Sequence, residues 1–189
     1  MIIAFLSFIH KINACPIIFV HPKRIMIAGD VMKQSKWKTY TIWIGLSEAI
    51  GALSGLLSRN AIASFGETAL QSPLSPPAIL FPIVWTILYA LMGISAARID
   101  LATPSAERSK GLNLFALQLI INFFWSLIFF NAEAYGFALI WILLLWCLVL
   151  WMILTFRKVD KVAARLQVPY LLWLTFAAYL NCVVWTLNK

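Results

Sequence analysis

The residues that could do chemistry in this chain are few, and most of them sit inside apolar runs. Glu48 is the only acidic residue well inside a stretch apolar enough to cross a bilayer, and such a group is a functional candidate by default. It could be protonated, paired with Arg59, or placed beside a water-filled cavity. His10 and His21 lie near the N-terminus, away from the apolar stretches that carry most of the aromatic residues. Cys15, Cys147 and Cys182 show no metal-ligand spacing, and no Ser, Cys or Lys stands beside a plausible base. No catalytic residue and no metal site is therefore expected, which leaves recognition as the chemistry to look for.

Recognition needs surface of the right kind, and three stretches supply it on consistent helical faces. Trp85, Tyr89, Met92 and Ala96 fall at i, i+4, i+7 and i+11. Gln118, Asn122, Trp125 and Phe129 repeat that spacing, and Tyr170, Trp173, Ala177 and Asn181 follow it closely. Each stripe mixes aromatic rings with hydrogen-bonding groups. An unpaired amide in hydrocarbon is costly, so faces carrying Gln118 and Asn122 should point into a helix bundle. Aromatic walls with a few amides suit a flat, hydrophobic ligand, because rings supply area and amides fix orientation. The bland alternative is that the amides only join helices, at about 0.6 to 2 kcal/mol per contact.

Other residues read as architecture. Trp37, Trp43 and Trp185 have the placement of interfacial anchors near span ends. Trp141, Trp146 and Trp151 recur every five residues, so they cannot share one face and at least one must look outward. Gly51 and Gly55 form a GxxxG spacing that lets another helix approach closely, and are expected to be packing residues.

The elements that must position these residues are set by a solvent of lipid. Of 189 residues 62% are apolar and 12% charged, a balance that cannot cover a soluble domain of this size. Long unalternating apolar runs exclude a barrel, so the expected fold is an all-α integral membrane bundle of five transmembrane helices. The spans read as about 40–57, 82–99, 112–130, 135–156 and 167–187. A long loop, Ser58 to Phe81, carries Pro73, Pro76 and Pro77, whereas the turn after Phe130 is short enough to make an antiparallel hairpin.

The net charge of +8 does not point to nucleic acid, because the cations lie in clusters between spans. Thirteen of the fifteen Lys and Arg residues fall on one side, leaving Arg59 and Lys189 on the other. The positive-inside rule then places the N-terminus in the cytoplasm and the Pro-rich loop and C-terminus outside. Residues 1–31 lack the order of a signal peptide and read as an uncertain extension ahead of Met32. Residues 32–189 form the five-helix domain.

Several of these motifs together resemble one family. Ser75-Pro76-Pro77, followed by Phe81-Pro82-Ile83-Val84-Trp85 through Tyr89 and Gly93, is similar to the TspO/MBR signature of tryptophan-rich sensory and translocator proteins. Gln118 to Ser126 resembles the family's third helix, and Ala163 to Asn181 its fifth. The likeness covers roughly residues 38–188. It implies a multi-pass cell-membrane protein, commonly a homodimer, whose bundle binds porphyrins or haem-type tetrapyrroles with no covalent cofactor. By the same likeness Trp85, Asn122, Trp125, Trp173 and Ala177 match positions at the family's pocket, joined here by Tyr89 and Phe129 from the stripes. Pro76 and Pro77 would belong to its loop lid. The loop departs from many relatives, with Leu74 where they carry a Trp just before the Pro-Pro pair. The resemblance therefore supports a sensory binding protein ahead of a transporter of such ligands or a light-dependent porphyrin-degrading enzyme.

Overall fold

The computed structural model describes residues 25–189, with side chains from residue 36 onward. Residues Met1–Trp37 and Lys38–Lys189 form two units, and the site lies wholly in the second. The expected extension, with His10, His21 and Cys15, falls for the most part outside the described residues.

Among the described residues the elements are helical throughout. They are α1 (Ile25–Thr68), α2 (Leu80–Asp100), α3 (Ala106–Ser126) with a π-helical turn at Leu127–Asn131, α4 (Tyr135–Val159), α5 (Lys161–Leu166) and α6 (Val168–Leu187). Five segments are long and apolar enough to span a membrane, the fifth being α5 and α6 in succession. The expected five-helix membrane architecture is what the chain adopts.

Several span boundaries differ from expectation, the third span among them, which starts at Ala106 rather than near Leu112. α1 does not end near Leu57 but continues to Thr68. The stretch from Ser58 to Phe65 contains no Gly or Pro and includes two alanines, so polarity alone does not stop the helix before Gly66. The loop shrinks to the residues between Thr68 and Leu80. The fifth span also begins earlier, because Asp160 caps α5 by accepting the Val162 and Ala163 N–H groups. Ser105 caps α3 in the same way, through the Arg108 N–H. The hairpin turn between the π turn and α4 is as short as expected and places Glu133 in the left-handed region at φ 50°.

The basic end of the bundle is tied by charge. Asp100, at the close of α2, accepts from Trp43 Nε1 at 3.0 Å and pairs with the Arg108 guanidinium, joining α1, α2 and α3. Trp43 is therefore no interfacial anchor, being only 1% exposed. Its indole N–H finds an acceptor inside the protein, which removes the reason to sit at the headgroups. Arg98 pairs with Asp160 at 2.7 Å, and Ser95 Oγ donates to the Ala163 carbonyl at 2.8 Å, holding α2 on α5. Burial raises the Asp160 pKa, but the two capping N–H groups and Arg98 outweigh it and hold the carboxyl below its ordinary range.

Close helix approach is made at a glycine outside the GxxxG pair. A Cβ on Gly93 would run into the α1 backbone at Ile44 and lie 2.8 Å from the Trp43 carbonyl oxygen. Gly51 packs against the Tyr89 ring, whereas a Cβ on Gly55 would meet nothing within 4 Å.

Candidate functional site

All three stripes face inward. Met92 and Ala96 are fully buried and Tyr89 nearly so on α2; Gln118, Asn122 and Phe129 are buried on α3 and its π turn; Tyr170, Ala177 and Asn181 are buried on α6. Trp85, Trp125 and Trp173 are half-buried beside them. Period 3.6 and the cost of amides in lipid thus place the right faces together.

The rings sort into two sets. In the first, Trp85 lies 5.5 Å from Tyr89, 6.2 Å from Tyr170 and 6.5 Å from Trp173 between ring centroids, and Phe81 abuts Trp173 at 5.9 Å. These rings join α2 to α6. In the second, Trp125 stacks on Phe129 at 5.1 Å, and Phe129 meets Tyr135 at 5.1 Å and Phe65 at 5.3 Å. The π turn carries this set. Its wider coil, closed by the Ala132 N–H bonding back to the Leu127 carbonyl, presents both Phe129 and Phe130 to Phe65.

Amides link the sets. Asn122 Nδ2 donates to the Tyr89 hydroxyl at 2.8 Å, and the Tyr170 hydroxyl donates to Gln118 Oε1 at 3.1 Å. Asn181 Nδ2 donates to the Tyr135 carbonyl at 2.9 Å. Ala177 lies between Trp173 and Asn181 on the same face of α6 and is buried there. All seven residues expected at a ligand site thus fall in or between these sets.

Two donors in the sets are unspent. Trp125 Nε1 and Trp173 Nε1 are buried with no hydrogen-bond partner among the described residues. A buried indole N–H ordinarily finds an acceptor, so these two groups, one on α3 and one on α6, stand out as unspent donors.

The structure treats other expected residues differently. Pro76 is half-buried and Pro77 exposed. What fastens the loop is Asn188, whose amide donates to the Leu70 carbonyl at 2.9 Å and accepts the Leu70 N–H at 3.0 Å. Glu48 forms no ion pair with Arg59; it lies on α1 one turn before Gly51, the residue packed on Tyr89. Cys147 and Cys182 are exposed on the outward faces of α4 and α6. Phe65 and Asn188 were not legible as site residues. Phe65 falls in what reads as loop, and nothing in sequence pairs position 188 with position 70.

A five-span helical membrane protein with an aromatic interior bridged by neutral amides is the class that fold and site define. The TspO/MBR family model matches residues 43–186, and the chain belongs to that family. It is similar to the tryptophan-rich protein TspO of Chlorobaculum tepidum, 38% identical over 79% of this chain and 96% of that one. It is similar also to the translocator protein of Sus scrofa, 35% identical over 74% of this chain and 86% of that one. Protein CrtK of Rhodobacter capsulatus is 40% identical over 60% of this chain and 71% of its own length.

Proposed function

We propose that this protein is a cell-membrane sensor that binds a porphyrin-type tetrapyrrole, or a ligand of similar shape, among the two aromatic sets. The observation that carries the reading is the pair of buried, unpartnered indole N–H groups of Trp125 and Trp173. A flat macrocycle offers faces for the rings, and its carboxylate side chains offer acceptors for the two donors. Among the described residues there is no His, and both described Cys point outward, so a tetrapyrrole iron would gain no imidazole or thiolate from these helices. The residues fit a metal-free porphyrin better.

Binding rather than turnover is the supported act. No nucleophile with an adjacent base lies among the rings, whose polar groups are neutral amides and phenols. The protein acts as a homodimer in this reading, following the resemblance.

Titration of the purified protein with protoporphyrin in the dark, followed by tryptophan quenching, tests the reading. Saturable quenching should weaken in Trp85→Ala and in Trp173→Ala; wild-type quenching in both would sink the pocket. Loss of porphyrin absorbance under light, with none in the dark, would instead favour the degrading enzyme.

A further inference from the structure

The interior site has to be reached from somewhere, and both ends of the bundle are closed. At the loop end Phe65 fits edge-on against Phe129 and Phe130, and Asn188 fastens the loop through Leu70. At the basic end Asp100 ties Trp43 to Arg108, while Arg98–Asp160 and Ser95–Ala163 lock α2 on α5. Beyond that lock the character of the contact changes. No hydrogen bond or ion pair joins α2 to α6 among the described residues; the two helices meet through Trp85, Phe81, Tyr170 and Trp173.

On the outer side of this seam lies an apolar groove of about 440 Å³, lined by Ile87, Leu88 and Leu91 of α2 and by Leu172, Trp173 and Phe176 of α6. Ile87 and Leu172 are 55% and 65% exposed, so the groove opens toward the bilayer. Trp173 belongs to both sides: its indole lines the groove and also packs on Trp85 within. No hydrogen bond holds that indole in place. Turning it therefore breaks only ring contacts, whereas opening the basic end breaks buried and part-buried polar ones, and opening the loop end breaks two exposed hydrogen bonds as well as the Phe65 ring contacts.

We infer that the seam between α2 and α6 is a lateral doorway, with Trp173 as its leaf, through which a flat apolar ligand dissolved in the bilayer enters the aromatic interior. The inference rests on the binding reading above and adds the route. A hydrophobic ligand partitions into lipid before it meets the protein, so a bilayer-facing entrance admits it without a return to water. The aliphatic groove leads to Trp173, whose ring hands the ligand on to Trp85 within, so apolar contact is kept along the path.

The experiment is stopped-flow binding of protoporphyrin to the full chain in lipid nanodiscs, read by the shift of the porphyrin absorbance band. Ile87→Phe/Leu172→Phe fills the groove from the lipid side without touching the interior rings. It should slow association and dissociation alike, by about tenfold, and leave Kd within about twofold of wild type. Asn188→Ala, which unfastens the loop, should leave both rates unchanged. Wild-type rates in the groove variant, or faster rates in Asn188→Ala, overturn the doorway while leaving binding intact. A wild type that shows no saturable binding overturns the pocket and the doorway with it.

Discussion

The Tyr89 hydroxyl accepts a hydrogen bond from Asn122 Nδ2 at 2.8 Å, in a site where both side chains are buried. That bond couples the ring set between α2 and α6 to the one on the π turn. Tyr89→Phe should therefore lower stability by about 0.6 to 2 kcal/mol, the range for hydrogen bonds between membrane helices. Asn122→Leu should cost a similar amount. The double variant should cost clearly less than the sum, as a thermal-unfolding cycle in detergent would show. Additive losses would mean that the two groups do not act as a pair.

Three glycines make a graded series. At Gly93 a Cβ meets the α1 backbone, which cannot rotate away, so Gly93→Ala should be the most damaging, at about 3 kcal/mol or more. At Gly51 the obstacle is the Tyr89 ring, whose displacement also strains the Asn122 bond; Gly51→Ala should cost about 1 to 3 kcal/mol. Gly55→Ala should be neutral or slightly stabilising, because nothing stands within 4 Å and alanine is the better helix former. Melting temperatures in that order support the packing; an equal loss at Gly55 contradicts it.

The same glycines show what sequence could and could not reveal. The GxxxG pattern points to Gly51 and Gly55, yet the close approach to another helix's backbone is at Gly93, which stands in no such pattern, while Gly51 meets a side chain. Close contact needs one small residue opposite a backbone, and only the fold tells which helix lies opposite. The stripes were legible for the opposite reason: amides such as Gln118 and Asn122 cannot face lipid, so period and polarity alone orient the helix. Trp43 reads as an anchor in sequence because its acceptor, Asp100, is 57 residues away in the chain. Asn188 and Leu70, separated by 118 positions, were illegible on the same ground.

Asp160 gives the structure an acid-sensitive joint outside the spans. Its carboxyl is held below the ordinary value of 3.8 against the opposing effect of burial, by the Ala163 and Val162 N–H groups and by Arg98. A carboxyl depressed on folding stabilises the fold above its unfolded pKa, and that stabilisation drains as pH falls through the folded one. Stability should thus drop below about pH 4. Asp160→Asn keeps a competent helix cap but loses the charge, so it should be less stable at neutral pH and should shed part of the acid dependence. Unfolding midpoints at pH 7 and pH 3 check this; an unchanged pH slope in the variant would assign the acid response elsewhere.

Gln167 is the most exceptional side chain in the bundle. It lies at the break between α5 and α6, is fully buried, and neither its Nε2 nor its Oε1 has a hydrogen-bond partner among the described residues. Its backbone serves the junction, the carbonyl accepting the Leu171 N–H at 3.1 Å, but its side chain makes no cap. Burying an amide without partners costs about 1 to 3 kcal/mol, whereas methionine fills nearly the same volume with no polar group to satisfy. Gln167→Met should therefore raise the melting temperature, with porphyrin affinity unchanged because the residue lies outside both ring sets. Gln167→Glu should lower it, since a carboxylate there would be buried with no cation paired to it. A fall in stability for the methionine variant would show instead that the amide has a bonding partner in the bilayer-embedded protein, and Gln167 would then be a residue the fold depends on.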